Sequence, residues 1–104
     1  MSQVSFAKTL TEDRRLVILR FLSEAQGWHL NTAVLHTALD NYAHSVSRDQ
    51  VETDAAWLAE QGLVTVEAVG PVRVATLTDR GLDVAEGRAV VPGVKRPGPR
   101  SGLR

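Results

Sequence analysis

Cysteine is absent from this chain of 104 residues. That rules out a disulfide scaffold, a thiolate zinc site and a catalytic thiol together. Long apolar runs are missing too. The opening MSQVSFAKTL lacks a signal-peptide core and nothing downstream approaches a membrane span, so an intracellular, cytoplasmic protein with no membrane partner is expected. Patterned catalytic chemistry is also lacking: no glycine-rich phosphate loop, nucleophile elbow or metalloprotease helix occurs. Serine, histidine and aspartate are scattered without supporting spacing. A non-enzymatic protein without a cofactor is expected. Nor is there a surplus of either charge, since 12 Lys and Arg balance 12 Asp and Glu.

What is present is globular. Hydrophobic residues make up 43% of the chain and charged ones 23%, enough for one small domain with its own core. The charge is unevenly spread. Residues 1 to 69 carry nine acidic and five basic side chains, residues 70 to 104 three acidic and seven basic. A basic end suits an anionic partner, and a solvated tail is the plainer alternative.

The most informative stretch runs from Ser47 to Thr78. Ser47 and Gln50 have capping-box spacing, in which the hydroxyl accepts from the third backbone N–H and the amide reaches back. Val51, Ala55 and Leu58 share one helical face, with Asp49, Glu52 and Glu60 largely opposite. Gly62 stands where a helix closes through a left-handed residue. Leu63 to Glu67 is rich in β-branched residues and reads as a strand, Gly70-Pro71 as a turn, and Val72 to Leu77 as the returning strand.

Upstream, Ser2 to Leu10 reads as a short lead-in helix with Phe6 and Leu10 as core anchors. Thr9 or Thr11 caps a second helix, in which Leu16, Ile18, Leu19 and Leu22 form the buried face and which Gly27 ends. Trp28-His29-Leu30 is assigned to a small strand pairing with the hairpin. Asn31 caps the next helix, with a stripe of Val34, Leu35, Ala38, Leu39 and Tyr42. A turn at residues 43 to 46 then gives helix-turn-helix proportions. Downstream, Thr78 caps a last short helix. From Gly87 on, prolines and glycines exclude regular structure, giving a domain over 1–87 and a basic Pro/Gly-rich tail over 88–104.

The run Leu58-x-x-x-Gly62-Leu63-Val64, the hairpin, and Leu77-Thr78-x-x-Gly81 resemble the winged-helix core of ArsR-, MarR- and PadR-like bacterial regulators. Three further segments resemble small proteins of Mu-like prophages. These are Asp13-Arg14-Arg15-Leu16-x-Ile18-Leu19-Arg20, Trp57-Leu58-x-Glu60-Gln61-Gly62-Leu63-Val64, and Val91-Pro92-Gly93-Val94-Lys95-Arg96-Pro97. The resemblance implies an α+β winged helix-turn-helix of three to five helices, a two- or three-stranded antiparallel wing and an extended C-terminal tail. By analogy it also implies double-stranded DNA as partner.

Carried onto this sequence, the groove-facing residues are Ser47, Arg48, Gln50 and Thr53, with Arg73 on the wing. Arg48 suits guanine and Gln50 adenine. Against this, the same helix carries Asp49, Glu52, Asp54 and Glu60, which would repel phosphates. Two resolutions stay open. Either tail cations (Arg88, Lys95, Arg96, Arg100 and Arg104) and a homodimer supply the missing charge, or the domain docks on another protein in phage assembly or DNA packaging. Trp57 and Trp28 are the candidate interface residues, with packing of Trp57 under the wing or against Trp28 as the alternative. His36, Asp40 and His44, four apart, have the spacing of a ligand ladder. They lie opposite the apolar stripe, read as a solvated helix face, and no metal is expected.

Overall fold

The computed structural model describes residues 3 to 98. They form α1 (Gln3–Glu24), β1 (His29–Asn31), α2 (Thr32–Asn41), α3 (Arg48–Glu60), β2 (Val64–Val69), β3 (Val72–Leu77) and α4 (Asp79–Ala85), with one 3-10 turn at Gln26–Trp28. The strands make an antiparallel sheet in the order β1-β3-β2. Helices followed by a hairpin whose return strand also holds β1 are compatible with a winged helix.

The joints form for the reasons the sequence states. Asn31 Oδ1 accepts from Val34 N at 2.8 Å to start α2. Gly62, at φ 77°, closes α3. Leu63 N donates to Leu58 O and Gly62 N to Ala59 O, both at 3.0 Å, the paired bonds of a Schellman ending. Gly70 supplies the positive φ of 62° that a two-residue turn between Val69 and Val72 requires. Thr78 is a three-way tie. Its Oγ1 accepts from Gly81 N and donates to Gly62 O, and its N–H donates to Leu63 O.

Around these joints the core collects Leu16, Ile18, Leu19 and Leu22 from α1, Leu35 and Leu39 from α2, and Val51 and Leu58 from α3. Leu63, Val64, Ala75 and Leu77 close it from the hairpin.

Several expectations change. The lead-in segment is no separate helix: α1 runs unbroken from Gln3 to Glu24. No glycine or proline interrupts it, and the Thr9 hydroxyl bonds back to Ser5 O instead of capping a new start. Phe6 and Leu10 in its first turns are exposed and are not core anchors. Val34 on α2 and Tyr42 at its C-cap are exposed. The helix is turned so that Thr32, fully buried, faces inward with Leu35 and Leu39. Trp28 precedes β1 and takes φ 60° in the 3-10 turn. His44 is no solvated ladder residue. It is buried and its Nε2 donates to Asp13 Oδ2 at 2.7 Å, while His36 Nε2 lies 2.8 Å from Val46 O.

The change of composition at Gly87 is not where packing ends. Residues 88 to 98 have no helix or strand, yet Val91 and Val94 are buried in the core. Arg15 stacks on Trp57, 3.8 Å from the ring centroid, and its Nη1 donates to Gly93 O. Gly93 lies at φ 100°, and a Cβ there would come within 2.7 Å of the Trp57 ring. Lys95 N donates to Glu12 O and its Nζ to Asp13 Oδ1. The segment is a strap across α1 and α3. Two apolar residues spaced three apart are enough to dock it, although proline and glycine bar regular structure.

A chain ended after Gly87 loses both buried valines, at about 1.5 kcal/mol or more each. One ended after Gly98 keeps them. Urea unfolding is expected to show a lower midpoint for the first truncation and an unchanged one for the second.

Candidate nucleic-acid interface

The exposed start of α3 and the wing meet at one carboxylate. Ser47 is the N-cap, its Oγ accepting from Gln50 N at 3.0 Å. Only half of the capping box forms, because Gln50 Nε2 turns inward to donate to Asp54 Oδ1 at 3.2 Å. Thr53 is exposed and has no partner among the described residues. Arg48 Nε lies 3.6 Å from Glu52 Oε2, and Arg73 Nε, reaching over from β3, lies 3.9 Å from Glu52 Oε1. Buried Thr32 donates its hydroxyl to Glu52 Oε2 at 3.2 Å and accepts from Arg48 Nη2 at 3.4 Å. The Arg48 and Arg73 side chains remain 47% and 60% exposed. A helix guanidinium and a wing guanidinium are thus held on one face, both open to solvent.

The acids of α3 do not act alike. Asp54 is 1% exposed. It takes a two-pronged ion pair from Arg14, through Nε to Oδ2 and Nη2 to Oδ1, and so is withdrawn from any surface. Glu52 is engaged by two arginines. Asp49 and Glu60 alone stand exposed and unpaired among the described residues. The apparent acidity of the helix is therefore roughly halved at its surface.

Two of the tail cations are engaged by other acids. Arg88 is tied to Asp83 and Glu86 at the end of α4, and Lys95 to Asp13. Partial burial raises the Asp13 carboxyl, but hydrogen bonds from His44 and Lys95 outweigh it and leave its pKa lowered. Arg96 is exposed and unpaired among the described residues, while Arg100 and Arg104 fall outside them. Trp57 is half-buried between Arg15 and the strap, and Trp28 packs at the edge of the core. Sequence reasoning missed Thr32, Arg14 and the bridging role of Glu52. For Arg14 and Asp54 a signal existed. Asp54 continues the Val51, Ala55, Leu58 stripe, and Arg14 that of Val17, Ile18 and Leu22, so opposite charges stand on two inward faces.

No group of three or more candidate metal ligands occurs among the described residues, and no helix there is long and apolar enough to cross a membrane.

The chain is 59% identical over 92 residues to the uncharacterized protein gp26 of Escherichia phage Mu, covering 88% of this chain and 95% of that one. It is 46% identical over 80 residues to an uncharacterized protein of Haemophilus influenzae (strain ATCC 51907 / DSM 11121 / KW20 / Rd), covering 76% and 78%. No protein-family model and no solved structure matches it.

Proposed function

The chain belongs to the family of the Escherichia phage Mu protein gp26, and we propose that it is a winged-helix, DNA-binding regulatory protein of phage type. It acts by binding and not by catalysis. The observation that carries this reading is the meeting of Arg48 from α3 and Arg73 from the wing on one exposed face. In a winged helix, α3 enters the major groove while the wing follows the backbone. Arg48 and Gln50 are then the base-reading candidates, with Ser47, Thr53 and Arg73 holding the register. A homodimer on a palindromic site doubles these contacts.

A second reading has its own support. Phe6 and Leu10 on α1, Val34 on α2 and Tyr42 just after it are exposed apolar side chains, which suit a protein-docking module in phage assembly or DNA packaging.

The two separate on fluorescence anisotropy with random-sequence duplex DNA, titrated from low to physiological salt. The full chain is expected to bind with steep salt dependence. Arg48→Ala and Arg73→Ala are each expected to weaken binding and to lower the slope of log K against log salt by about 1. The tail is tested by ending the chain after Gly98, which leaves Val91 and Val94 in place. Binding that needs the tail but ignores both arginines would mean a sticky tail. Absence of binding at low salt would remove the DNA reading and leave protein docking.

A further inference from the structure

We infer, on the DNA-binding reading proposed above, that Glu52 is a positioning residue that sets sequence specificity by holding Arg48 and Arg73 together. Three observations carry this. First, Glu52 is the one carboxylate that reaches both the helix arginine and the wing arginine among the described residues, at 3.6 and 3.9 Å. Second, it is itself fixed from below, because the buried Thr32 hydroxyl donates to Oε2. A half-buried acid anchored from the core is a built feature and not a floating surface charge. Third, both ion-pair distances exceed hydrogen-bond length. The guanidinia are aligned by attraction and, apart from the Arg48 Nη2 contact with Thr32, keep N–H groups available to meet a base or a phosphate.

The electrostatic consequence follows. Two arginines and one glutamate leave a net charge of +1 where the arginines alone would supply +2. Generic attraction to phosphate is reduced, and any duplex must offer hydrogen bonds good enough to justify bringing a carboxylate toward the groove. Glu52 thereby disfavours unselected DNA more than a matched site. Holding the guanidinia in place also reduces the ordering cost when the matched site binds.

The test compares the full chain with Glu52→Gln and Glu52→Asp on two labelled duplexes. One is a random-sequence duplex, the other a duplex recovered by selection from a random pool with the unaltered protein. Glu52→Gln is isosteric and keeps the Thr32 contact, and far-UV circular dichroism checks that it stays folded. It is expected to bind the random duplex on the order of tenfold more tightly, with a salt slope steeper by about 1. Discrimination between the two duplexes is expected to fall by a similar factor. Glu52→Asp keeps the charge, so the random-duplex affinity stays near that of the unaltered protein. A purely structural role would move melting temperature and leave the salt slope alone.

Unchanged slope and unchanged discrimination in a folded Glu52→Gln would overturn the role of Glu52 while leaving DNA binding intact. Failure of the unaltered protein to bind any duplex, at any salt, would instead overturn the DNA reading and this role with it.

Discussion

Gly81→Ala is expected to lower the melting temperature more than any other exchange of so few atoms in this protein. Gly81 lies in the first turn of α4, which packs across the start of the hairpin. A Cβ at this position would sit 2.0 Å from Leu63 O and 2.7 Å from Leu77 Cδ1. The carbonyl cannot swing aside, because Leu63 O already accepts from Thr78 N at 3.1 Å and Thr78 in turn caps α4 through Gly81 N. Displacing α4 breaks the three-way tie on which α3, the hairpin and α4 all converge.

Overpacking costs are commonly 1–3 kcal/mol and higher where backbone must move, so about 3 kcal/mol or more is expected here. For a domain of this size that is on the order of 15 °C in melting temperature. Gly98→Ala is the control, since among the described residues nothing lies within 4 Å of a Cβ there, and its melting curve should overlay that of the unaltered protein. A Gly81→Ala protein melting within a few degrees of it would show that α4 can ride outward freely.

The second large effect concerns Arg14 and Asp54, a buried ion pair joining α1 to α3. Asp54→Ala is expected to cost about 3–5 kcal/mol, because it leaves the Arg14 guanidinium buried and uncompensated. Gln50, which donates to Asp54 Oδ1, would also lose a partner. Arg14→Met with Asp54→Leu removes both charges and fills the space with apolar atoms. That double variant is expected to recover most of the loss. Urea unfolding of Arg14→Met, of Asp54→Leu and of the double variant closes the cycle. Additive losses would mean that the charges are stabilised separately, by water or by other groups. Asp54 also bears on function, since an acid spent on α1 does not repel phosphate from α3.

Both effects touch features that the sequence displays without explaining. The pattern Leu77-Thr78-x-x-Gly81 is visible in the chain. The need for glycine at its end arises only when Leu63 O, 18 residues earlier, is brought against α4. Asp54 and Arg14 are visible as charges out of place on apolar stripes. Their pairing needs the crossing of α1 and α3, 40 residues apart in sequence.

Apart from the division of α1 into two helices, element type and order were legible in the sequence because they are local. Capping by Asn31, Ser47 and Thr78, closure at Gly62, the turn at Gly70-Pro71 and the alternation of the hairpin depend on neighbours a few residues away, so periodicity and turn chemistry decide them. Which side of each element faces inward was legible only where the apolar stripe had no competitor, as on α3. On α2 it failed. The stripe as read ran from Val34 to Tyr42, whereas Thr32 faces inward with Leu35 and Leu39, its hydroxyl bonded to Glu52. At α1 the apolar pair Phe6 and Leu10 signalled a core that the fold does not extend to meet. The strap was hidden for the opposite reason: its composition forbids regular structure, which is not the same as forbidding order. Only the tertiary structure set Gly93 against Arg15 and Trp57 and brought Val91 and Val94 into the core. It alone brought Arg48, Glu52 and Arg73 together, because a contact between helix and wing depends on how the hairpin folds back, a non-local matter that no spacing in the chain encodes.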